Sequence, residues 1–230
     1  MLYIKANQQK TQEYQFLCDF LKANFFSRYI NKWDLECTLL QEPFTGLGYP
    51  DLVAIIWNKN ILGKWHPDRN KLIVDDIKIL HYLYLNKKYK TVLDIKRELG
   101  FSEKDISGSI LRLSNAGLIK FSKSNKFKAL KKTEIFHIKE IITIEAKLKN
   151  WRRALEQAFV NSYYASESYI LFPEKTITDQ MLNTYKKTDI GIITFNEKIN
   201  VIKKAKKNTI PANLNSWLFN EYIGRSLEWQ

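Results

Sequence analysis

The sequence has few of the residues that build disulfide, zinc or histidine-based sites. Its 230 residues include only two cysteines, Cys18 and Cys37, and no CxxC spacing. Two cysteines cannot form a structural zinc site by themselves. The three histidines are scattered, so no HxxxH or Ser-His-Asp grouping is indicated. We therefore predict two free thiols in a reducing compartment.

Long apolar runs are also missing. No uninterrupted apolar stretch approaches the roughly 20 residues that a membrane-spanning helix needs, and the first fifteen residues contain no apolar signal core. The hydrophobic fraction of 45% is ordinary for a globular protein. The expectation is a soluble, cytoplasmic protein with no membrane partner, built as one large domain or two small ones.

Acidic residues are scarce relative to basic ones. The chain has 37 Lys and Arg against 24 Asp and Glu, a formal charge of +13, which favours polyanionic partners and chiefly nucleic acid. Residues 75–132 alone carry 14 Lys and Arg against 6 Asp and Glu, or +8. The excess is therefore concentrated in one region, as expected of a binding surface and not of a uniformly basic composition.

Residues 75–132 show the pattern of three helices followed by a hairpin. The segments 91–100 and 102–117 each begin at a hydroxyl residue and end at a glycine, Gly100 and Gly117, which are typical helix boundaries. The predicted elements are helices at 75–86, 91–100 and 102–117 and strands at 118–121 and 126–130.

This order of elements resembles the winged helix-turn-helix family. The resemblance is carried by the short turn around Gly100, by NAGLIK before the hairpin, and by the apolar set Ile106, Ile110 and Leu113. It implies that the third helix enters the major groove of double-stranded DNA. The side chains expected to be exposed and to reach DNA are Lys104, Ser107, Ser109 and Arg112 on that helix and Lys123, Ser124, Asn125 and Lys126 in the wing.

Only one arginine lies on the proposed reading helix, so non-specific or shape-guided binding is favoured over strict sequence readout. The alternative is a winged helix that makes protein contacts, including those of a homodimer.

The rest of the chain has an α/β pattern. A helix is predicted over residues 10–30, and the polar, Gly- and Pro-broken stretch 58–71 is interpreted as a linker. The remaining elements are strands at 34–43, 51–57, 136–148, 169–173, 190–196 and 199–206 and helices at 150–166, 178–187 and 213–224. Strands alternating with helices predict a mixed sheet covered on both faces.

The stretch ITIEAKLKNWRRALEQA, residues 142–158, places charges inside an apolar strand. Because strand side chains alternate between faces, Glu145 and Lys147 share the face opposite Ile144 and Ala146. A structural ion pair is one explanation. Asp51 supports another, because it also begins a strand, directly after Pro50.

Pro50-Asp51 and Glu145-Ala146-Lys147, on two strands of one α/β pattern, resemble the motif of the PD-(D/E)XK nuclease superfamily. The resemblance covers residues 10–57 and 136–206, and it implies a restriction-endonuclease-like mixed sheet flanked by helices. The two halves of the motif lie about ninety residues apart, further than is usual. An inserted winged-helix (α+β) domain at 75–132, between nuclease segments 1–74 and 133–230, accounts for that gap.

The resemblance also implies a metal site. Asp51, Glu145 and the Ala146 carbonyl would hold Mg²⁺ or Mn²⁺, and Lys147 would orient or deprotonate the attacking water or stabilise developing charge. A further acid is expected from Glu13 on the first helix or Glu36 on the first strand.

The helix that follows begins with arginines. Arg152, Arg153 and Gln157 are expected to face the scissile phosphate, with Gln157 among the catalytic residues. In the alternative, Trp151 and Leu155 pack inward and the arginines are solvated.

These features together predict a metal-dependent DNA endonuclease. The alternatives are a non-catalytic winged-helix DNA-binding regulator that keeps a nuclease-like core, and a nuclease directed at RNA. Intact Asp51, Glu145 and Lys147 favour the enzyme.

Overall fold

The computed structural model describes residues 11–30, 34–61 and 63–227. They divide into two compact units. The sheet unit comprises the described residues of Leu2–Lys59 and Ile138–Ser216, and the helical unit those of Asn60–His137 and Trp217–Gln230.

The described residues contain eight β-strands: β1 (Leu35–Gln41), β2 (Leu52–Asn58), β3 (Ile119–Phe121), β4 (Phe127–Ala129), β5 (Ile138–Ala146), β6 (Glu167–Pro173), β7 (Gly191–Phe195) and β8 (Ile199–Lys203). They contain eight α-helices: α1 (Gln12–Lys22), α2 (Val74–Asn86), α3 (Val92–Leu99), α4 (Glu103–Asn115), α5 (Lys132–Ile135), α6 (Trp151–Ser162), α7 (Asp179–Lys186) and α8 (Leu214–Leu227).

The sheet unit contains a six-stranded mixed sheet in the order β1-β2-β5-β6-β7-β8. β2 pairs antiparallel with β1 and β5, β5-β6-β7 are parallel, and β8 is antiparallel to β7. The two parallel connections run through α6 and α7, as parallel strands require a crossover. The predicted α/β class and the mixed sheet flanked by helices are confirmed.

Both faces of this sheet are covered. On one face, Leu17 and Phe20 of α1 pack against a cluster that includes Ile142 and Ile144 of β5. On the other, Ala154 of α6 packs with residues of β6 and α7. The inner strand β2 is buried from Leu52 to Trp57; it lies between β1 and β5, and Leu52, Ala54 and Ile56 pack in the same cluster as α1.

The helical unit contains α2, α3 and α4 and the antiparallel β3–β4 hairpin. Thr91 and Ser102 cap the N-termini of α3 and α4 through their side chains. Gly100 and Gly117 have φ of 75° and 67°, the left-handed conformation that glycine adopts without strain. These predicted boundaries are confirmed.

The stretch 58–71, predicted to be a linker, contains the boundary between the two units, but the linker interpretation is wrong for its last residues. Pro67–Lys71 form a 3₁₀-helix in which Arg69 is only 2% exposed and is paired with Glu221 of α8. This partner lies 152 residues away, so no local pattern indicates it. The helical unit therefore has wider bounds than the predicted insert 75–132.

The first helix is shorter than predicted. α1 ends at Lys22, and a 3₁₀-helix, Phe25–Tyr29, follows Asn24, whose φ of 61° breaks the α-helical path. Residue 10, at the start of the predicted helix, lies outside the described residues. Among the residues that the structure describes, no helix combines the length and the apolar character needed to cross a bilayer.

Candidate active site

The two halves of the predicted motif meet in the sheet unit. Asp51 directly precedes β2, and β2 pairs with β5 so that Leu52 lies opposite Ile144. Asp51 Oδ2 accepts hydrogen bonds from the Ala146 backbone N–H at 2.8 Å and from Lys147 Nζ at 2.9 Å. Residues 95 positions apart in sequence are thus in direct contact.

Glu145 is buried with one oxygen unsatisfied. The residue is 1% exposed, and its Oε1 accepts a hydrogen bond of 2.6 Å from the Asn161 side-chain amide of α6. Its Oε2 has no hydrogen-bond donor among the described residues, and Lys147 Nζ lies 3.9 Å from it; the Asp51 carboxyl is close enough to share a proton with the Glu145 side chain, which raises the pKa of Glu145. Buried polar atoms are nearly always hydrogen-bonded, so such an atom needs an explanation.

Lys147 follows the last residue of β5 and connects the acidic groups. Its Nζ contacts Asp51 Oδ2, donates to the Ala146 carbonyl at 3.1 Å and lies 3.7 Å from Glu13 Oε2. Its side chain is 12% exposed. One largely buried ammonium group therefore lies within 4 Å of three carboxylates, those of Asp51, Glu13 and Glu145.

Of the two acids expected to complete the site, the structure brings only Glu13 to it. Glu13 Oε1 accepts a hydrogen bond from the Leu148 backbone N–H at 3.3 Å. Glu36 instead pairs with Lys59 at 2.8 Å, and both of these side chains are nearly half exposed.

The electrostatics of the cluster favour a bound proton or cation. Burial first, and then the neighbouring Asp51 carboxylate, raise the pKa of Glu145 well above its ordinary value. For Lys147, burial lowers the pKa but Asp51, Glu145 and Glu13 raise it, and the net shift is upward. The ammonium form is thus stabilised by its acidic neighbours.

A cavity of about 180 Å³ opens beside the cluster. It is lined by Thr11, Glu13, Tyr14, Leu17, Gln41, Glu42, Asp51 and Ala146. The lining is mixed: three carboxylate side chains, Glu13, Glu42 and Asp51, lie beside apolar groups such as Leu17.

The predicted helix residues lie on two sides of α6. Asn150 caps the helix by accepting a hydrogen bond from the Arg153 N–H. Trp151 and Leu155 pack against the core, whereas Arg152 and Arg153 are exposed. The structure shows no contact between these arginines and the acidic cluster.

Gln157 lies one helical turn from Asn161, the residue that binds Glu145. Its side chain is half-buried, and its Oε1 is buried with no hydrogen-bond partner among the described residues. Gln157, a predicted catalytic residue, thus has a buried oxygen without a partner one helical turn from Asn161.

Magnesium binding at these residues stays a prediction, which rests on the chemistry of their donor atoms. No group of three or more His, Cys, Asp or Glu with metal-binding geometry occurs among the described residues. Mg²⁺, however, is bound through one or two carboxylates and keeps several waters. Asp51, the Ala146 carbonyl and the unsatisfied Glu145 Oε2 supply such a donor set.

The residues predicted to bind DNA in the helical unit have mixed positions. Lys104, Ser107, Lys123 and Lys126 are exposed. Arg112 is instead held by two hydrogen bonds of 2.8 Å to the carboxylate of Asp76, which is fully buried.

Ser109 was predicted to be exposed on the reading helix, and that was wrong. It is 2% exposed because it lies on the inward stripe of α4, three residues after Ile106 and four before Leu113.

Sequence reasoning missed Asn161. Its amide donates to Glu145, and its side-chain oxygen accepts a hydrogen bond of 2.9 Å from the Tyr164 hydroxyl. Asn161 lies four residues after Gln157, a spacing that places both on one helix face. This spacing was the one feature of the sequence that could have indicated Asn161 as a site residue.

Comparisons with protein-family models, curated proteins and solved structures found no match to this chain.

Proposed function

We propose that this protein is a metal-dependent DNA endonuclease of the PD-(D/E)XK type. The observation that carries the proposal is the contact of Asp51 with both Ala146 and Lys147, next to a buried glutamate whose Oε2 is unsatisfied. Acidic and basic groups with these positions and pKa shifts suit phosphodiester hydrolysis.

In this proposal Asp51, Glu145 and the Ala146 carbonyl hold Mg²⁺ or Mn²⁺. The metal, when bound, neutralises phosphate charge and lowers the pKa of a bound water. Lys147 Nζ contacts Asp51 Oδ2 and Ala146 O, two of the oxygens that would hold the metal. These contacts keep its ammonium at the cluster, where it would orient the attacking water or stabilise the developing charge on phosphate.

Supporting roles follow from position. Glu13 holds Lys147 from the α1 side, and Asn161 orients Glu145 through its Oε1. Gln157, with an unsatisfied oxygen one turn away, is proposed to bind the attacking water.

For the helical unit we propose a winged helix that binds double-stranded DNA. The support is the sequence of three helices and a hairpin, with Lys104, Ser107, Lys123 and Lys126 exposed. Arg112 has a structural role, because its bidentate pair with Asp76 joins α4 to α2. The remaining exposed lysines suit binding to the phosphate backbone of DNA.

A non-catalytic DNA-binding regulator is the second candidate. Its support is the same helical unit, and it predicts that the acidic cluster serves stability alone. An unsatisfied buried oxygen on Glu145 lowers stability, which favours the enzyme.

The test is cleavage of supercoiled plasmid with Mg²⁺ or Mn²⁺. We expect nicking by the wild type and a loss of at least about a hundredfold in Asp51→Ala and Glu145→Ala, since each removes a metal ligand. Glu36→Ala, which removes an acid that pairs with Lys59, is the matched control and should cut normally. No nicking by the wild type on any DNA form, or equal nicking by all four proteins, would contradict the proposal.

A further inference from the structure

The connection between β1 and β2 exposes two aromatic rings next to the candidate site. Phe44 and Tyr49 are 38% and 41% exposed, and their ring centroids lie 5.2 Å apart with an interplanar angle of 42°. Leu47, 51% exposed, extends the surface. Single exposed apolar residues are ordinary, but a contiguous group points to a binding surface.

This aromatic pair is held by an ordered turn. The Thr45 N–H donates to the Gly48 carbonyl at 3.0 Å, and the Leu47 N–H donates to Thr45 Oγ1 at 3.3 Å. Gly46 and Gly48 have φ of 77° and 144°, values that other residues rarely adopt. The buried Thr45 side chain fixes the turn from below.

The aromatic pair also has a fixed position relative to the carboxylates. Tyr49 is two residues before Asp51, so their Cα atoms are at most about 7 Å apart. The intervening Pro50 is buried and has a restricted φ. The Glu42 N–H donates to the Asp51 carbonyl at 3.2 Å and closes the loop. A nucleic-acid strand with its phosphate at Asp51 would therefore have Tyr49 within reach, and Phe44 through its contact with Tyr49.

Exposed cations follow the motif in the chain. Lys149, Arg152 and Arg153 come two to six residues after Lys147 and are exposed, with no ion-pair partner among the described residues. Cationic side chains that contact phosphates, together with aromatic rings that stack on bases, are the combination used to bind single strands.

The aromatic pair distinguishes paired from unpaired DNA. In a duplex the base faces are stacked on one another, whereas an unpaired base offers a face to an aromatic side chain. We propose that Phe44 and Tyr49 stack an unpaired base, so that the strand cut at this site is single-stranded or locally unpaired DNA. This inference rests on the proposed function and narrows its substrate; double-stranded DNA remains the ligand proposed for the helical unit.

The test measures binding without cleavage, in a chelator that removes divalent ions. A fluorescent single-stranded oligonucleotide and the same strand in a blunt duplex are titrated with the full chain. Tyr49→Leu and Phe44→Leu keep apolar volume but remove the ring, and each should weaken single-strand binding on the order of tenfold. Duplex binding should stay unchanged. Tyr49→Phe, which retains a ring, should bind the single strand like the wild type.

The matched control is Phe159→Leu, since this phenylalanine of α6 is 41% exposed and has no assigned role. It should leave both affinities unchanged. Unchanged single-strand binding in the Tyr49 and Phe44 variants would overturn the inference. An equal loss on single strand and duplex, or no single-strand binding by the wild type, would overturn it too.

Because this readout needs no metal and no cleavage, it is separate from the plasmid assay. If the wild type never nicks DNA but the ring variants bind the single strand more weakly than the wild type, the endonuclease proposal is contradicted and the stacking inference is supported. If the wild type nicks DNA and the ring variants bind the single strand as tightly as it does, the stacking inference is contradicted and the endonuclease proposal is supported.

Discussion

Each unit of this protein buries an acid next to a base, and the two arrangements differ in how completely they are satisfied. In the helical unit, Arg69 donates through Nε and Nη2 to both oxygens of Glu221, and Nη2 also donates to the Ile135 carbonyl at 3.0 Å. The indole of Trp65 covers the guanidinium at 3.8 Å. In the sheet unit, Glu145 keeps an oxygen without a hydrogen bond.

The difference separates a structural role from a proposed catalytic one. A buried ion pair whose hydrogen bonds are made can fix a fold, although it adds little net stability over apolar residues. A buried carboxylate with an unsatisfied oxygen costs free energy, and such costs are concentrated at functional sites. The pair of Arg112 and Asp76 also has a structural role, since both oxygens of Asp76 accept hydrogen bonds from Arg112.

The largest expected effect comes from breaking the pair in the helical unit. Arg69→Met leaves Glu221 charged, buried and unpaired, so we expect the free energy of unfolding to fall by about 3–5 kcal/mol. Urea denaturation measures it. The double variant Arg69→Met/Glu221→Leu should recover most of the loss, because it removes both charges. A single variant as stable as the wild type would show that this pair does not fix the helical unit.

In the sheet unit, replacing the charged Glu145 by a neutral residue should raise the free energy of unfolding, the opposite of the effect expected for Arg69→Met. The folded state raises the pKa of Glu145, so it binds the proton more tightly than the unfolded chain does. This contribution is fully present below the ordinary glutamic acid pKa and is lost as pH rises towards the folded value. Without divalent ions, Glu145→Gln should therefore stabilise the protein at neutral pH, by about 1–3 kcal/mol.

The check on that prediction is its pH dependence. Urea denaturation at several pH values measures the free energy of unfolding of both proteins. The extra stability of Glu145→Gln should vanish below the ordinary glutamic acid pKa, where the wild-type side chain is neutral as well. A variant less stable than the wild type at neutral pH would mean that Glu145 is satisfied in the folded protein.

The smallest effect is expected at an exposed pair. Lys59→Gln removes the partner of Glu36, and both side chains are nearly half exposed. Such pairs contribute about 0–1 kcal/mol because water and salt screen them. Thermal unfolding at low and high salt measures the effect, and a loss as large as that of Arg69→Met would remove the distinction between buried and exposed pairs.

Local sequence patterns predicted most of the elements but none of the contacts in the site. The caps at Ser102 and Asn150 are local properties, which explains why they were predictable. Asp51 and Lys147 were paired only through the resemblance, and the structure brings them to 2.9 Å. The choice between Glu13 and Glu36 needed the packing of α1, which no local pattern contains.

The remaining misses have a common physical cause. Arg69 is buried because the distant Glu221 accepts its hydrogen bonds. Ser109 is buried because Arg112, three residues away, donates a hydrogen bond to it. Polarity alone therefore predicted a linker and an exposed reading residue. The role of Asn161 was not predicted for the same reason, since it depends on a hydrogen bond to Glu145, which lies sixteen positions earlier and on another element.

The most direct test of the account is whether Glu145 and Asp51 form a divalent-cation site. Thermal unfolding is followed with and without Mn²⁺, since a ligand that binds only the folded state raises Tm. The account predicts that Mn²⁺ raises the Tm of the wild type and of Glu36→Gln, and leaves that of Glu145→Gln and Asp51→Asn unchanged. A wild type that does not respond, or an equal rise in all four proteins, would contradict it.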